Sequence, residues 1–286
     1  MSVADVASAP AQGTRRPSSR FLRSELGLVL RRRRNLAGLL VLAAVPVLIA
    51  VAVRSTASKP GSDAPDFFQS ITQNGLFVAL AALTVELGIF LPLAIAAISG
   101  DAVAGEANLG TLRYLLTVPV SRLRLLGIKY AAIVVFAFVA TFLITVVGMV
   151  VGLALFGGGD LTTLSGNQVS FANGLGRVVL ASAYLAVALA SLGAVGLFIS
   201  TLTEQPIAAT LATVIFSTAS FILDSIPQVD WLHPYLITHH WMAFGDFFRT
   251  PMAWNGVLHG LYLAAAYGLV FFLAAWARFA GKDVTS

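Results

Sequence analysis

The chain has 286 residues, of which 58% are hydrophobic and only 11% are charged. Because an ordinary soluble domain carries about 25% charged residues, this composition excludes that class and indicates a membrane protein. The net charge of +5 does not indicate a nucleic-acid-binding protein, since eight of the 18 basic residues lie between Arg15 and Arg34 and predict membrane orientation and contact with anionic lipid. The chain contains no cysteine, which excludes disulfides and thiol chemistry.

The N-terminal region predicts a tail followed by a helix on the membrane surface. Residues 1–18 are rich in Ala, Pro and Ser and predict a disordered tail. From 19 to 34, Leu22, Leu26 and Val29 share one helical face, and a block of arginines supplies the other face. This pattern predicts an amphipathic interfacial helix.

Residues 19–286 predict one six-helix transmembrane domain. The apolar segments that could span a membrane lie at about 36–53, 75–99, 130–156, 178–201, 206–223 and 255–277. With the N-terminus inside, the inner segments hold 14 Lys and Arg and the outer segments hold 4. The positive-inside rule therefore predicts that both termini are cytoplasmic. We expect an all-α, multi-pass protein of the cytoplasmic (inner) membrane, with membrane lipids among its partners.

The segment between the second and third predicted spans is long enough to fold. It reads GDAVAGEANLGTLRYLLTVPVSRLRLLGIK over 100–129. Its apolar residues recur at helical spacing: Leu109, Leu112, Leu115 and Leu116. Glu106 and Arg113 are expected to be exposed charges that face a partner, and Pro119 stops the helix. The pattern favours a cytoplasmic docking helix over 101–122; the alternative is a solvated loop whose charges only fix the topology.

Glu86 is the least favourable residue to place in the bilayer. It lies 11 residues into the second predicted span, about 16 Å deep, where a carboxylate costs about 2.5–3.5 kcal/mol. Residues at a similar depth are its candidate partners: Thr141, Ser191, Ser217 and Tyr267. Two interpretations stay open. Glu86 lines a translocation path or binds a cation, or a protonated Glu86 hydrogen-bonds two helices together.

In the third predicted span, Gly148 and Gly152 have the small-xxx-small spacing of a close-packing helix face, although small residues are common throughout this chain.

The last outer loop, 224–254, is rich in aromatic residues. Trp241, Phe244 and Phe248 recur at helical spacing, which predicts one or two short re-entrant helices at the outer mouth of the bundle.

The same loop contains three histidines: His233, His239 and His240. Their spacing matches no known set of metal ligands, so we assign no metal site and expect these residues to cap short helices. His259, near the outer end of the sixth span, is expected to bind a loop carbonyl.

Several motifs after the second span follow one another in a recognisable order. They are Glu106, a Gly-Thr-Leu triplet at 110–112, a Leu-Leu pair at 115–116 and a Pro-Val-Ser-Arg run at 119–122. Together they resemble the signature of the ABC-2 family of ABC transporter permeases, and the architectural resemblance extends over about 19–278.

The resemblance implies a coupling helix that seats in a groove of the nucleotide-binding subunit, and a second, smaller contact at the turn 203–205. The implied ATPase contacts are Glu106, Leu109, Thr111, Leu112, Arg113, Leu116 and Glu204. Glu86 and Tyr267 are the residues assigned to a translocation path or a helix contact.

The function implied by the resemblance is that of the permease subunit of an exporter for a drug, antibiotic, peptide or lipid. It would pair with an ABC ATPase and with a second copy of itself or a sister permease. No G-x-x-x-x-G-K-[ST] sequence occurs, so we expect ATP and Mg²⁺ to bind the partner, and assign this chain no catalytic residue and no cofactor. The alternatives are a proton-coupled secondary transporter that uses Glu86 and a membrane scaffold that recruits a cytosolic partner.

Overall fold

The structure, a computed structural model, describes residues 19–57, 74–110 and 121–281. The α-helices in these ranges are α1 Ser19–Arg31, α2 Arg33–Ala57, α3 Leu76–Gly88, α4 Phe90–Asn108, α5 Arg122–Phe156, α6 Phe171–Leu202, α7 Pro206–Asp224 and α8 Trp254–Ala280. Two 3₁₀ helices, Pro227–Tyr235 and Trp241–Phe248, lie between α7 and α8. A short antiparallel hairpin, β1 Leu161–Thr162 and β2 Gln168–Val169, joins α5 to α6.

Six of the described helices are long and apolar enough to cross a membrane. They are α2, α4, α5, α6, α7 and α8. This confirms the prediction of an all-α membrane protein with six apolar spans. The predicted helix at the N-terminal side of the first span is present as α1.

The second predicted span differs from expectation. It consists of α3 and α4, which meet at a break at Ile89 (φ −144°, ψ −49°). Pro92 has no N–H to bind the carbonyl of Gly88, which favours an interruption at this point. The helix then continues to Asn108, so 101–108 belong to α4 and do not start a separate coupling helix. Residues 111–120 lie outside the described residues.

α6 lies at the centre of the bundle and packs against α4, α5, α7 and α8. In the most apolar stretch of α6, 78% of the residues are buried inside the bundle. In the equivalent stretches of α2, α7 and α8, only 22% of the residues are buried. The exposed faces of these three helices carry large apolar side chains, such as Leu40, Ile207 and Leu269. Such faces suit the hydrocarbon of a bilayer.

Glycine allows α3 and α5 to make backbone contact. A Cβ atom on Gly152 would lie 2.0 Å from the carbonyl oxygen of Gly75, and one on Gly148 would lie 2.7 Å from the Cα atom of Ala79. The glycine spacing in the third span therefore does mark a close-packing face, as small residues do between membrane helices.

Both described ends of the chain lie at the same end of the bundle. Glu25 of α1 binds Lys129, near the start of α5. The Arg122 guanidinium donates hydrogen bonds of 3.0 and 2.8 Å to the carbonyl oxygens of Phe279 and Ala280 at the end of α8. We call this the terminal end. The opposite end, which carries the hairpin and the 3₁₀ helices, is the loop end.

Candidate functional site

A buried ammonium group joins three helices at the terminal end. The Lys129 side chain is only 3% exposed, and its Nζ lies 3.1 Å from Oε1 of Glu25 and 2.5 Å from Oε1 of Glu106. Because the three residues belong to α5, α1 and α4, the Lys129 ammonium group fixes the N-terminal helix α1 to the ends of two spans. A buried Lys requires such partners, since an unpaired charge is strongly disfavoured away from water.

A second ionic contact holds the junction between α1 and α2. Arg32 and Arg34 both bind the Asp101 carboxylate of α4, the latter at 3.1 Å. Asn35 donates a hydrogen bond of 2.6 Å to the carbonyl oxygen of Val29 near the end of α1. α1 is therefore linked to Glu106 of α4 through Lys129, and the junction that follows α1 binds Asp101 of α4 directly. These contacts, together with the Lys129 triad, form what we call the terminal ionic cluster.

The expectation that Glu106 is an exposed charge is wrong. Its side chain is 22% exposed and faces Lys129, because α4 continues to Asn108 and presents Glu106 to α1 and α5. Leu109 directly follows α4 and is 66% exposed, and Glu204 is exposed in the turn between α6 and α7. Their role in binding an ATPase stays a prediction. The other predicted contact residues lie outside the described residues: Thr111, Leu112, Arg113 and Leu116.

The structure also brings together a junction of small residues that the sequence analysis missed. Ser200 of α6 accepts hydrogen bonds from the N–H groups of Val103 and Ala104 at 3.1 and 2.9 Å, and it donates one of 2.7 Å to the Gly100 carbonyl. Nearby, a Cβ atom on Gly196 would lie 2.0 Å from Oγ of Ser99. Gly and Ser recur in both helices, and this is the sequence feature that could have predicted the close contact between α4 and α6. The junction fixes α4 to α6 at the same level as Asp101 in the terminal ionic cluster.

Glu86 is fully buried within the bundle. Its exposure is 0%, and neither carboxyl oxygen has a hydrogen-bond partner among the described residues. The close contacts of Gly75 with Gly152 and of Ala79 with Gly148 define an antiparallel register between α3 and α5. Glu86 follows Ala79 by two helical turns on the same face, so this register places it level with Thr141, one of its predicted partners.

Thr141 lies in a short column of buried hydroxyl groups on α5. Its own hydroxyl group donates to the Ala137 carbonyl at 2.9 Å. One turn away, Thr145 and Ser182 of α6 share a hydrogen bond of 2.6 Å. The interface between α3, α5 and α6 is therefore glycine-rich at the loop end and polar toward the middle.

Tyr267 lies elsewhere in the bundle. Its hydroxyl group donates a hydrogen bond of 2.9 Å to the carbonyl oxygen of Tyr235 in the first 3₁₀ helix, and its ring stacks on Phe271 and contacts Phe216 of α7. These contacts agree with the helix-contact interpretation of Tyr267 and give no link to Glu86.

The loop end is held together by polar anchors on α6. The buried guanidinium of Arg177 donates hydrogen bonds of 2.7 and 2.8 Å to the carbonyl oxygens of Phe247 and Arg249. The Tyr184 hydroxyl group donates one of 2.6 Å to the carbonyl oxygen of His240. The residues expected to form a helical face in this loop are buried: Trp241, Phe244 and Phe248. Short helices in the 224–254 segment are thus confirmed, in 3₁₀ form.

Two of the three histidines in this loop have ring nitrogens that face oxygen acceptors. His239 Nδ1 lies 2.6 Å from Oδ1 of Asp224, and His233 Nε2 lies 3.1 Å from the Ile226 carbonyl. His259 was expected to bind a loop carbonyl but instead binds the carbonyl of Asn255, in its own helix, at 2.8 Å. Within the described ranges, no group of three or more His, Asp or Glu side chains is placed to hold a metal ion.

Comparison with known proteins gives a family but no relative of known activity. No curated protein matches the chain. A family described as a protein of unknown function (DUF2705) matches residues 38–285. This range begins in the first span and includes all the spans that follow, together with Glu86, Glu106 and Lys129. Since the match covers most of the sequence, the chain belongs to the DUF2705 family.

Proposed function

We propose that this chain is the permease subunit of an ATP-binding cassette exporter of the cytoplasmic membrane, and that a separate subunit hydrolyses the ATP. The supporting observation is the buried Lys129, which joins α1, α4 and α5 through Glu25 and Glu106. The segment between α4 and α5 carries the motifs that resemble an ABC-2 coupling helix.

The terminal ionic cluster gives this segment a mechanical connection to the spans. A force applied to 111–120 acts on the end of α4 and the start of α5, and the ion pairs of Lys129 and Asp101 distribute it to α1 and α2. The hydrogen bonds of Ser200 continue the connection from α4 to the central α6. A partner that changes shape on binding ATP would thereby move several spans together.

The positive-inside rule supports a cytoplasmic position for the terminal end. The same end holds the exposed Leu109 and Glu204, so one ATPase reaches both predicted contacts. ATP and Mg²⁺ bind on that subunit. The poorly buried α2, α7 and α8 supply faces for lipid and for a second copy or a sister permease.

A second candidate function, proton-coupled secondary transport, is favoured by one observation. Glu86 is fully buried and has no hydrogen-bond partner among the described residues, and ionisable groups inside a membrane are commonly functional. This alternative requires no ATPase and assigns no role to the motifs at 106–122.

Site-directed crosslinking distinguishes these functions. Single cysteines replace Leu109, Leu112 or Glu204 in the naturally cysteine-free chain, and a thiol–amine crosslinker is applied to native membranes. Leu164→Cys is the matched control, because Leu164 is 63% exposed but lies in the hairpin at the loop end.

The exporter proposal expects one soluble protein with a Walker A sequence to crosslink at 112 and not at 164. A crosslinked protein without nucleotide hydrolysis would instead support the scaffold alternative. Absence of any soluble crosslinked protein at 109, 112 and 204 would contradict the exporter proposal and leave secondary transport as the better account.

A further inference from the structure

An apolar groove runs along the outside of the bundle between α2 and α4. It has a volume of about 250 Å³. The groove exists because the facing residues are small: Gly38 on α2, and Ala94 and Ala97 on α4. Phe136 of α5 also lines the groove and is buried, so it forms the floor. The two helices are therefore parted along this face, and space remains for a further hydrocarbon group.

The groove has nearly the length of an acyl chain in one leaflet. Its lining on α2 extends over 34–42, which is about 12 Å at 1.5 Å per residue. Half of the hydrocarbon core of a bilayer is about 15 Å thick. Phe90 and Leu93 at its edge are exposed, so the groove opens to the surroundings of the bundle. Beyond its polar end at Arg34 and Asn35 the lining is apolar, and such a site suits hydrocarbon better than water.

The polar end of the groove adjoins four consecutive arginines at the junction of α1 and α2, Arg31 to Arg34, and all four are exposed. Asp101 binds Arg32 and Arg34, the latter at 3.1 Å, and the side chain of Arg34 stays 59% exposed. In the described part of the chain, no ion pair involves Arg31 or Arg33. Four guanidinium groups thus share one carboxylate, which leaves this end of the groove strongly positive.

The arginines and the groove together match the two parts of a phospholipid. Guanidinium groups bind phosphate oxygens in a bidentate manner, whereas the ammonium group of lysine acts as a point charge. Basic pockets between membrane helices bind anionic headgroups. We propose that one anionic phospholipid binds here, with its phosphate at Arg33 and Arg34 and one acyl chain in the groove. A zwitterionic lipid is disfavoured, because its headgroup brings a cation of its own to the arginines.

The bound lipid completes the packing of α2. In the most apolar stretch of this helix only 22% of the residues are buried. The phosphate binds at the junction where α1 ends, and the acyl chain lies between α2 and α4. The lipid therefore adds to the contact that Asp101 makes between the same two helices. The basic residues of the sequence predict only general contact with anionic lipid, whereas the groove gives that contact a position and a number.

Native mass spectrometry of the delipidated full chain in detergent tests this proposal. The probes are phosphatidylglycerol and phosphatidylcholine with the same palmitoyl and oleoyl chains. We expect a single tight site per chain that binds phosphatidylglycerol at least tenfold more tightly than phosphatidylcholine. Dihexanoyl phosphatidylglycerol carries the same headgroup on chains too short to fill the groove, and it should bind at least tenfold more weakly than the long-chain lipid. These comparisons use the unaltered chain and do not depend on the folding of any variant.

A first variant tests the headgroup contact. Arg33→Gln combined with Arg34→Gln should weaken the binding of long-chain phosphatidylglycerol at least tenfold. Arg23→Gln combined with Arg278→Gln is the matched control, because it removes two exposed arginines outside the groove. The control should change the affinity less than threefold, which separates a defined site from the general attraction of a basic protein for anionic lipid.

A second variant tests the acyl-chain contact. Gly38→Leu places a side chain in the groove, and nothing lies within 4 Å of the added Cβ atom, so the helix should tolerate it. It should weaken the binding of long-chain phosphatidylglycerol at least tenfold. Gly176→Leu is the matched control, since its added Cβ atom is equally free of contacts but lies at the loop end, and it should change the affinity less than threefold.

Three results would each overturn the proposed lipid site. They are equal affinity for the two long-chain lipids, equal affinity for long and short chains, and unchanged binding in either the arginine variant or Gly38→Leu. None of these results depends on the presence of an ATPase, so the lipid site and the exporter proposal fail independently.

Discussion

Lys129 and Glu106 lie 2.5 Å apart, Nζ to Oε1, at the point where the chain leaves α4 and returns as α5. The two residues are 23 positions apart in the sequence, and the segment that resembles a coupling helix lies between them. This ion pair closes the base of that segment. Glu25 of α1 also binds Lys129, so the N-terminal helix α1 and the two ends of this segment are joined by one buried ammonium group.

Replacing Lys129 should loosen this end of the bundle. Lys129→Met leaves the carboxylates of Glu25 and Glu106 facing each other without a cation. Both are partly exposed and regain water, so we expect a loss of about 2 kcal/mol, within the range for charged hydrogen bonds. Thermal unfolding in detergent measures the change.

Arg278→Met is the control, because it removes the same charge from an exposed position at the same end, and it should change stability by less than about 0.5 kcal/mol. In a double-mutant cycle, Glu106→Gln should cost less in the Lys129→Met background than in the unaltered chain. Additive losses would mean that the pair does not interact.

Glycine at 152 should be indispensable to the bundle. In Gly152→Ala the added Cβ atom would lie 2.0 Å from the backbone oxygen of Gly75, and no side-chain rotation relieves a clash with backbone. We expect a loss of about 2 kcal/mol or more. Gly127→Ala is the matched control in the same helix, since nothing lies within 4 Å of its added Cβ atom. It should be neutral or stabilise by up to about 1 kcal/mol. Equal melting temperatures for both variants would contradict the close contact.

Apolar runs predicted much of this fold. The fifth and sixth spans begin and end within three residues of their expected positions, whereas the helix of the fourth span begins seven residues before its expected start. The agreement follows because length and hydropathy dominate where every backbone group must bond within its own helix. The second span was misjudged for a local reason. Val103 and Ala104 are small and apolar and are buried against Ser200, so α4 continues past Ser99 despite Asp101 and Glu106.

The contacts of polar residues were harder to predict, because they depend on registers between helices. The aromatic spacing at 241–248 correctly indicated a short buried helix. In contrast, nothing in the spacing of three loop histidines indicated that His259 lies beside them. The exposure of Glu106 was likewise misjudged, because its partner Lys129 lies on the next helix, α5, and approaches Glu106 only in the folded structure.

Glu86 should lower the stability of the bundle. Its carboxyl group is buried without a hydrogen-bond partner among the described residues, an arrangement that costs about 1–3 kcal/mol in proteins. Glu86→Leu should therefore raise the free energy of unfolding by up to that amount, and Glu86→Gln should leave it nearly unchanged. If the residue serves transport, both variants should assemble normally and lose substrate-stimulated ATP hydrolysis. A lower melting temperature for Glu86→Leu would show instead that the carboxyl group holds two helices together.

The loop end should face away from the cytoplasm. Ser225→Cys, at an exposed position directly after α7, should react with a membrane-impermeant thiol reagent in intact cells. Leu109→Cys, exposed at the terminal end, should react only after the membrane is permeabilised. The basic residues motivate this orientation, since 14 of 18 lie in the segments assigned to the inside. The reverse labelling pattern would contradict it.

The most direct test of the exporter proposal is the composition of the particle purified from native membranes in mild detergent. We expect this chain to co-purify with a soluble protein at a ratio near 1:1, and that protein to contain a Walker A sequence and hydrolyse ATP. Leu112→Asp should release the ATPase or uncouple its hydrolysis from substrate, while Leu164→Asp should retain both. A chain that purifies without an ATPase, with its membrane insertion and stability intact, would contradict the proposal.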